Sequence, residues 1–158
     1  MYYTKHAWSG SIERVEMDGS NPVTIVPGQR YPFGVAINLD LSKLFWMQCR
    51  EGEDKRIKYS NFQGGAQRTI VDPFIDCESR IVVANERIYW ADSSNFGLRS
   101  IPISGGNSTL LFTEKQSIRA ITLVLPDFSF PQNRVNDCAS LGCAKVCALT
   151  ASSARCLT

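Results

Sequence analysis

Histidine is nearly missing from this chain: His6 is the single one among 158 residues. Nucleophilic catalysis needs a Ser or Cys beside a His base and an orienting acid, and one histidine on a polar stretch beside Trp8 gives little to build from. A Gly-x-Ser-x-Gly elbow is also missing, as is any phosphate-cradling glycine loop. A bias of charge is lacking too. Seventeen Lys and Arg against fifteen Asp and Glu leave a net charge of +2, which gives no reason to expect a nucleic acid or an anionic membrane as partner. The longest apolar run, Ile121 to Leu125, is broken by Thr122 and falls far short of a membrane span. Met1 to His6 has no apolar h-region, so the start does not read as a secretory signal. No segment carries a helical period worth defending.

What is present is a repeat. Ile88-Tyr89-Trp90-Ala91-Asp92 has a copy 44 residues earlier in Leu44-Phe45-Trp46-Met47-Gln48, and Tyr2-Tyr3-Thr4-Lys5 stands 43 before that. Each copy leads into a polar-apolar strand, a Gly turn and a short β-branched strand. The continuations are Ile12 to Val15 with Asp18-Gly19 and Ile25-Val26, Ile57 to Tyr59 with Gly64-Gly65 and Ile70-Val71, and Leu98 to Ile101 with Gly105-Gly106 and Leu110-Leu111. A period in the forties built from short strands predicts an all-β array of four-stranded antiparallel propeller blades. Expected strands include Ile12–Met17, Val23–Val26, Phe33–Leu39, Leu44–Cys49, Ile81–Ala84 and Ser117–Leu125. In Phe33–Leu39, Val35, Ile37 and Leu39 fall on one face and the small Gly34 and Ala36 on the other, as suits an innermost strand. Phe45, Trp46, Tyr89 and Trp90 should pack between blades. Pro102 fits least well, because proline removes a ladder donor, and a bulge there would absorb it.

Tyr89-Trp90-Ala91-Asp92, Ile12-Glu13-Arg14 and Met17 to Asn21 resemble the YWTD repeat of low-density lipoprotein receptor relatives. The likeness spans nearly the whole chain, with Lys5 and Gln48 in place of the motif's Asp and Tyr3 in place of its Trp. It implies the second half of a six-bladed propeller, about three blades over residues 1–131, followed over 132–158 by the start of a growth-factor-like module. On that reading the chain is an internal piece of a longer secreted or membrane-anchored protein.

Six cysteines argue for an oxidising compartment. Cys138, Cys143, Cys147 and Cys156 follow C-x4-C-x3-C-x8-C, which lacks the paired knuckles and histidine of a zinc site. The growth-factor-like resemblance implies Cys138–Cys147 and Cys143–Cys156 pairs. It also implies no calcium, since Arg134 stands where the calcium-binding version carries an acid. Cys49 and Cys77 would meet on one rim of neighbouring blades, closing a loop of about 29 residues worth ~3–4 kcal/mol in the chain-entropy account; buried free thiols are the alternative. Asn107-Ser108-Thr109 is a glycosylation sequon beside a Gly-Gly turn.

In a propeller of this topology the loop after each second strand and the crossover between blades share one rim. His6, Trp8, Arg30, Tyr31, Arg50, Glu51, Glu53, Asp54, Phe74, Asn95 and Phe96 then gather on one face. Aromatics mixed with arginine are the composition of protein-binding hot spots. The resemblance implies an extracellular ligand-binding or endocytic receptor segment that docks a protein or lipoprotein, with no catalysis, cofactor or metal. Its other partners would be neighbouring blades and modules of the same chain, and this segment itself would make no membrane contact. A matrix glycoprotein of the nidogen kind and a propeller hydrolase are the alternatives.

Overall fold

The computed structural model describes residues 1–49, 55–75, 80–116, 118, 121–122, 147–149 and 154–156, the last two groups as backbone alone. Three antiparallel meanders follow one another. Sheet 1 runs β1 (Tyr2–Lys5), β2 (Gly10–Arg14) and β3 (Val23–Gln29); sheet 2 runs β4 (Pro32–Asn38), β5 (Lys43–Gln48), β6 (Arg56–Asn61) and β7 (Arg68–Val71); sheet 3 runs β8 (Ile81–Ala84), β9 (Arg87–Asp92), β10 (Gly97–Pro102) and β11 (Thr109–Thr113). A separate hairpin pairs β12 (Cys147–Leu149) with β13 (Ala154–Cys156). Strand order equals chain order in every meander, and among the described residues there is no helix.

The sheets stack through alternation along β5. Leu44 and Trp46 pack back on Ile12 and Val26 of sheet 1, while Phe45 and Met47 pack forward on Ile81, Val83 and Trp90 of sheet 3. Because successive side chains leave a strand on opposite faces, a strand covered on both sides must be apolar throughout its middle. Leu44, Phe45, Trp46 and Met47 are all fully buried, each worth ~1.5–3 kcal/mol for its burial. Trp90 fills the next joint in the same way, and Tyr89 turns to the far side of sheet 3 beside Ala84, Leu111 and Ile121. The inner strand β4 lies against β1 on one side and β8 on the other.

Several expected strands shift. β2 begins at Gly10 and ends at Arg14, and Val15 goes on pairing only with the terminal residue Met1. β3 runs on to Gln29, where the expectation ended it at Val26, since Gln29 still pairs with Gly10 across a register shift. A bulge between Phe33 and Val35, with Gly34 at φ 48°, breaks the alternation expected of the inner strand. Phe33 and Val35 consequently face opposite joints, Phe33 sharing its side with Ala36; Val35 and Ala36 stay on opposite faces as expected, and Ile37 and Leu39 are exposed. No bulge forms at Pro102. It ends β10 opposite Arg87, and the register shift lies between Leu98 and Arg99. Ile103 N–H donates to Glu86 on the β9 side, so alternation turns the proline nitrogen toward β11, whose pairing has already stopped at Ser100 with Thr109. The missing donor is never needed there.

The turn from β8 to β9 takes two residues, Asn85 and Glu86, both at positive φ (49° and 58°), the arrangement whose twist suits a tight hairpin. Ile118 and Ile121 cover Ala91 and Leu98 on the far face of sheet 3 without strand structure; most of the rest of the strand expected over Ser117–Leu125 lies outside the described residues. The module expected over 132–158 is described only through the short hairpin, in which Cys147 and Cys156 are Cα partners.

Candidate functional site

Alternating strand direction brings the β1–β2, β3–β4, β7–β8 and β9–β10 connections to one end of the stack. The first two carry a continuous cluster. Tyr31 sits at φ 44°, a region that a bulky side chain enters only when its surroundings hold it there. Here the backbone is tied on both sides: Tyr31 N–H donates to Ala7 O at 2.8 Å, and Tyr31 O accepts from Cys49 N–H at 3.3 Å. Ala7 O also receives Gly10 N–H. A side chain at Gly10 would collide with the carbonyl of Lys5 and the ring of Pro32, so glycine lets the loop close against the crossover.

The rings then fall together. His6 lies 5.3 Å from Tyr31 and edge-on to Phe33 at 6.0 Å, and Trp8 meets Tyr31 edge-on at 6.2 Å. The Arg30 guanidinium stands 4.9 Å from the centre of the Trp8 ring, a cation–π placement. His6 Nδ1 is 3.3 Å from Pro32 O, so the ring donates from that nitrogen. Trp8 remains 50% exposed. A half-exposed tryptophan held by its neighbours offers contact area at little further ordering cost.

A second group forms on the same rim around Phe74, Asn95 and Phe96. Phe74 carries the Arg99 guanidinium 3.8 Å from its ring centre and is fixed through its backbone: its N–H donates to Asp72 Oδ1, and its O accepts from Trp90 Nε1. Arg99 Nε donates to Asp92 Oδ2 at 2.6 Å, and Asn95 donates to both Asp92 oxygens. Burial works to raise the Asp92 pKa, but the hydrogen bonds from Arg99 and Asn95 outweigh it and hold the carboxyl below its ordinary value. Phe96, at φ 50°, is tied by its O to Glu114 N–H. Phe74 and Phe96 are each nearly half exposed.

Thus His6, Trp8, Arg30 and Tyr31 meet directly, and Phe74 joins Asn95 through Arg99 and Asp92. Arg50, Glu51, Glu53 and Asp54 lie outside the described residues. The residues that sequence reasoning missed are those beneath the rim: Gln29, Phe33, Asp72, Asp92, Arg99 and Ser108. One signal was available, since Gln29 and Asp72 stand 43 residues apart, in step with the repeat.

Cys49 is disulfide-bonded, and no described cysteine is free; Cys77, like Cys138 and Cys143, lies outside the described residues. Asn107 is exposed just after the Gly105-Gly106 turn. Among the described residues no three His, Cys, Asp or Glu converge as a metal set, and no helix is long and apolar enough to cross a membrane.

No family model matches the chain. Over 132 residues it is 25% identical to Protein cueball of Drosophila yakuba, covering 81% of this chain and 20% of that protein. Over 118 residues it is 23% identical to Protein cueball of Drosophila ananassae, covering 74% and 17%. The chain therefore spans about a fifth of the length of the curated relatives it matches. Among solved structures it is similar to a chain in the crystal structure of a nidogen/laminin complex, with a TM-score of 0.58 and 22% identity over 78% of this chain and 47% of that one. With three successive meanders in register with the repeat, the likeness gives this chain the fold of YWTD-type β-propeller blades.

Proposed function

We propose that these blades are a protein-docking segment of an extracellular protein, binding through the rim that carries Trp8, Arg30 and Tyr31 without catalysing a reaction. The observation that carries this reading is the cluster itself: an exposed tryptophan braced by Tyr31 and capped by Arg30, the residue types that dominate binding energy at protein interfaces. A disulfide-bonded Cys49 suits an oxidising compartment. Two settings follow from the same platform. One is the ectodomain of an endocytic receptor of the low-density lipoprotein receptor-related kind, with a protein or lipoprotein ligand. The other is a matrix-type docking protein, favoured by likeness to a chain solved within a nidogen/laminin complex. The pairs Cys49–Cys77, Cys138–Cys147 and Cys143–Cys156, a growth-factor-like module over 132–158 and a glycan on Asn107 belong to this proposal.

The test uses the complete protein presented to extracellular proteins. Trp8→Ala, Tyr31→Ala and Phe96→Ala should each weaken capture by about 1 kcal/mol or more while secretion stays normal. Met17→Ala changes an exposed residue of the opposite rim and should leave capture unchanged. Rim variants that secrete and bind every partner as the unaltered protein does would remove the site from these blades.

A further inference from the structure

Gln29 and Asp72 close the outer strands of sheets 1 and 2 at the same place in the repeat, and both are polar yet only 5% and 4% exposed. A polar side chain buried there needs partners, and both find them in two directions. Gln29 Oε1 accepts from Trp46 Nε1 at 3.3 Å and from Lys58 Nζ at 3.2 Å, both in sheet 2, while its Nε2 returns to Pro27 O in its own strand. Asp72 Oδ2 accepts from Ser108 N–H, just before β11 of sheet 3, at 3.0 Å, while its Oδ1 holds Phe74 N–H. The tryptophan of the following sheet donates into the same corner each time, Trp46 to the Gln29 side chain and Trp90 to Phe74 O. Two residues beyond each polar residue stands a rim aromatic, Tyr31 and Phe74.

We propose that Gln29 and Asp72 are repeated positioning residues: each ties its crossover to the next blade and thereby sets where the rim aromatic two residues on is presented. The placement of Tyr31 and Phe74 then belongs to the blade joint and not to the loop alone. This deepens the docking reading and rests on it for its biological meaning, although the tie itself can be tested without a partner. The two joints use different chemistry. The first holds a buried amide against an ammonium, and burial together with the nearby Arg56 charge lowers the Lys58 pKa. The second holds a carboxylate against a backbone amide, beside the Arg99–Asp92 pair.

Hydrogen–deuterium exchange of the full-length protein, read by peptide, separates this from ordinary strand packing. Gln29→Leu should speed exchange at Tyr31, Gly10 and Cys49 by about tenfold and leave Phe74, Ile75 and Ser108 within about twofold. Asp72→Ala should do the reverse. Gln29→Glu keeps the acceptor for Trp46 and Lys58 but loses the donor to Pro27 O, so it should restore part of the protection of the first set of amides. Where Gln29→Leu does not fold, Trp46→Phe removes the donor instead and should speed the same amides. Unchanged exchange at Tyr31 in Gln29→Leu, equal loosening of both corners by either variant, or a Gln29→Glu protein as loose as the leucine one would each overturn the proposal. If the exchange pattern holds while Trp8→Ala binds normally, the positioning role stands and the docking role fails.

Discussion

Arg99 does three things at once: it stacks on Phe74, pairs with Asp92 and reaches Ser108. Its partner Asp92 is 2% exposed, and the pair earns stability only through its completeness. Removing one member strands the other charge in a buried site, which costs about 3 kcal/mol or more. Arg99→Met is therefore expected to lower the unfolding free energy by that amount, measured by urea titration. The carboxyl pKa lies below its ordinary 3.8 in the folded state, so its contribution is fully present above about pH 4 and fades as pH falls through the lower folded value. An Asp92→Asn protein should be less stable at neutral pH, and the gap should narrow on acidification to about pH 2. A gap that widens with acid would contradict the pairing. Glu13 shows the same sign by another route: the Ser11 hydroxyl leads in lowering its pKa, against burial, with Thr24 and Lys5 adding to it.

At the scale of strands and turns, glycines separate two physical demands. Gly64 has φ 82°, and a side chain there would strike the carbonyl of Ile25 in sheet 1 and crowd Val26. Gly19 has a similar φ of 85° but meets nothing within 4 Å. Gly19→Ala should cost only the left-handed strain, roughly 1–2 kcal/mol, whereas Gly64→Ala should cost more because it also pushes two blades apart. Equal losses by thermal melting would mean that the close approach carries no energy. The contrast also marks how far sequence could be read. The repeat, the blade-facing aromatics and the Gly turns were legible because period and alternation are local signals. The extension of β3 to Gln29 and the bulge at Gly34 were not, because each depends on which strand lies alongside. Rim aromatics could be grouped from topology alone, but the tie of Arg99 to Phe74 crosses from one sheet to another and leaves no mark in spacing. Gln48, which stands where sheet 3 has Asp92, shows the limit from the other side: its buried Oε1 has no hydrogen-bond partner among the described residues, and no physical account of it emerges from the repeat.

At the scale of the molecule, a stack of sheets derives its stability from joints, and each sheet buries its faces only against neighbours. Sheet 2 has both faces covered, and the middle of β5, Leu44 to Met47, is wholly apolar. The outer faces differ. On sheet 3, Tyr89, Ala91 and Leu98 are roofed by Ile118 and Ile121. On sheet 1, alternation turns Tyr3, Ser11 and Glu13 away from Ile12 and the joint with sheet 2, and among the described residues β1 pairs on one side only, with β2. An unpaired strand edge templates association. Glu13, tied to Ser11 and Thr24 and salt-bridged to Lys5, puts polar groups on that face, which limits apolar adhesion but leaves the backbone of β1 open. The 158-residue segment expressed by itself is accordingly expected to self-associate through this edge. Sedimentation velocity should show mass growing with concentration. Met1 and Val15 exchange both backbone hydrogen bonds, so alternation along the register turns Thr4 N–H to the open edge, and Thr4→Pro, which removes that donor, should reduce the growth. A segment that remains monomeric at high concentration and melts in one cooperative step would show that the first sheet is closed by something other than a neighbouring strand.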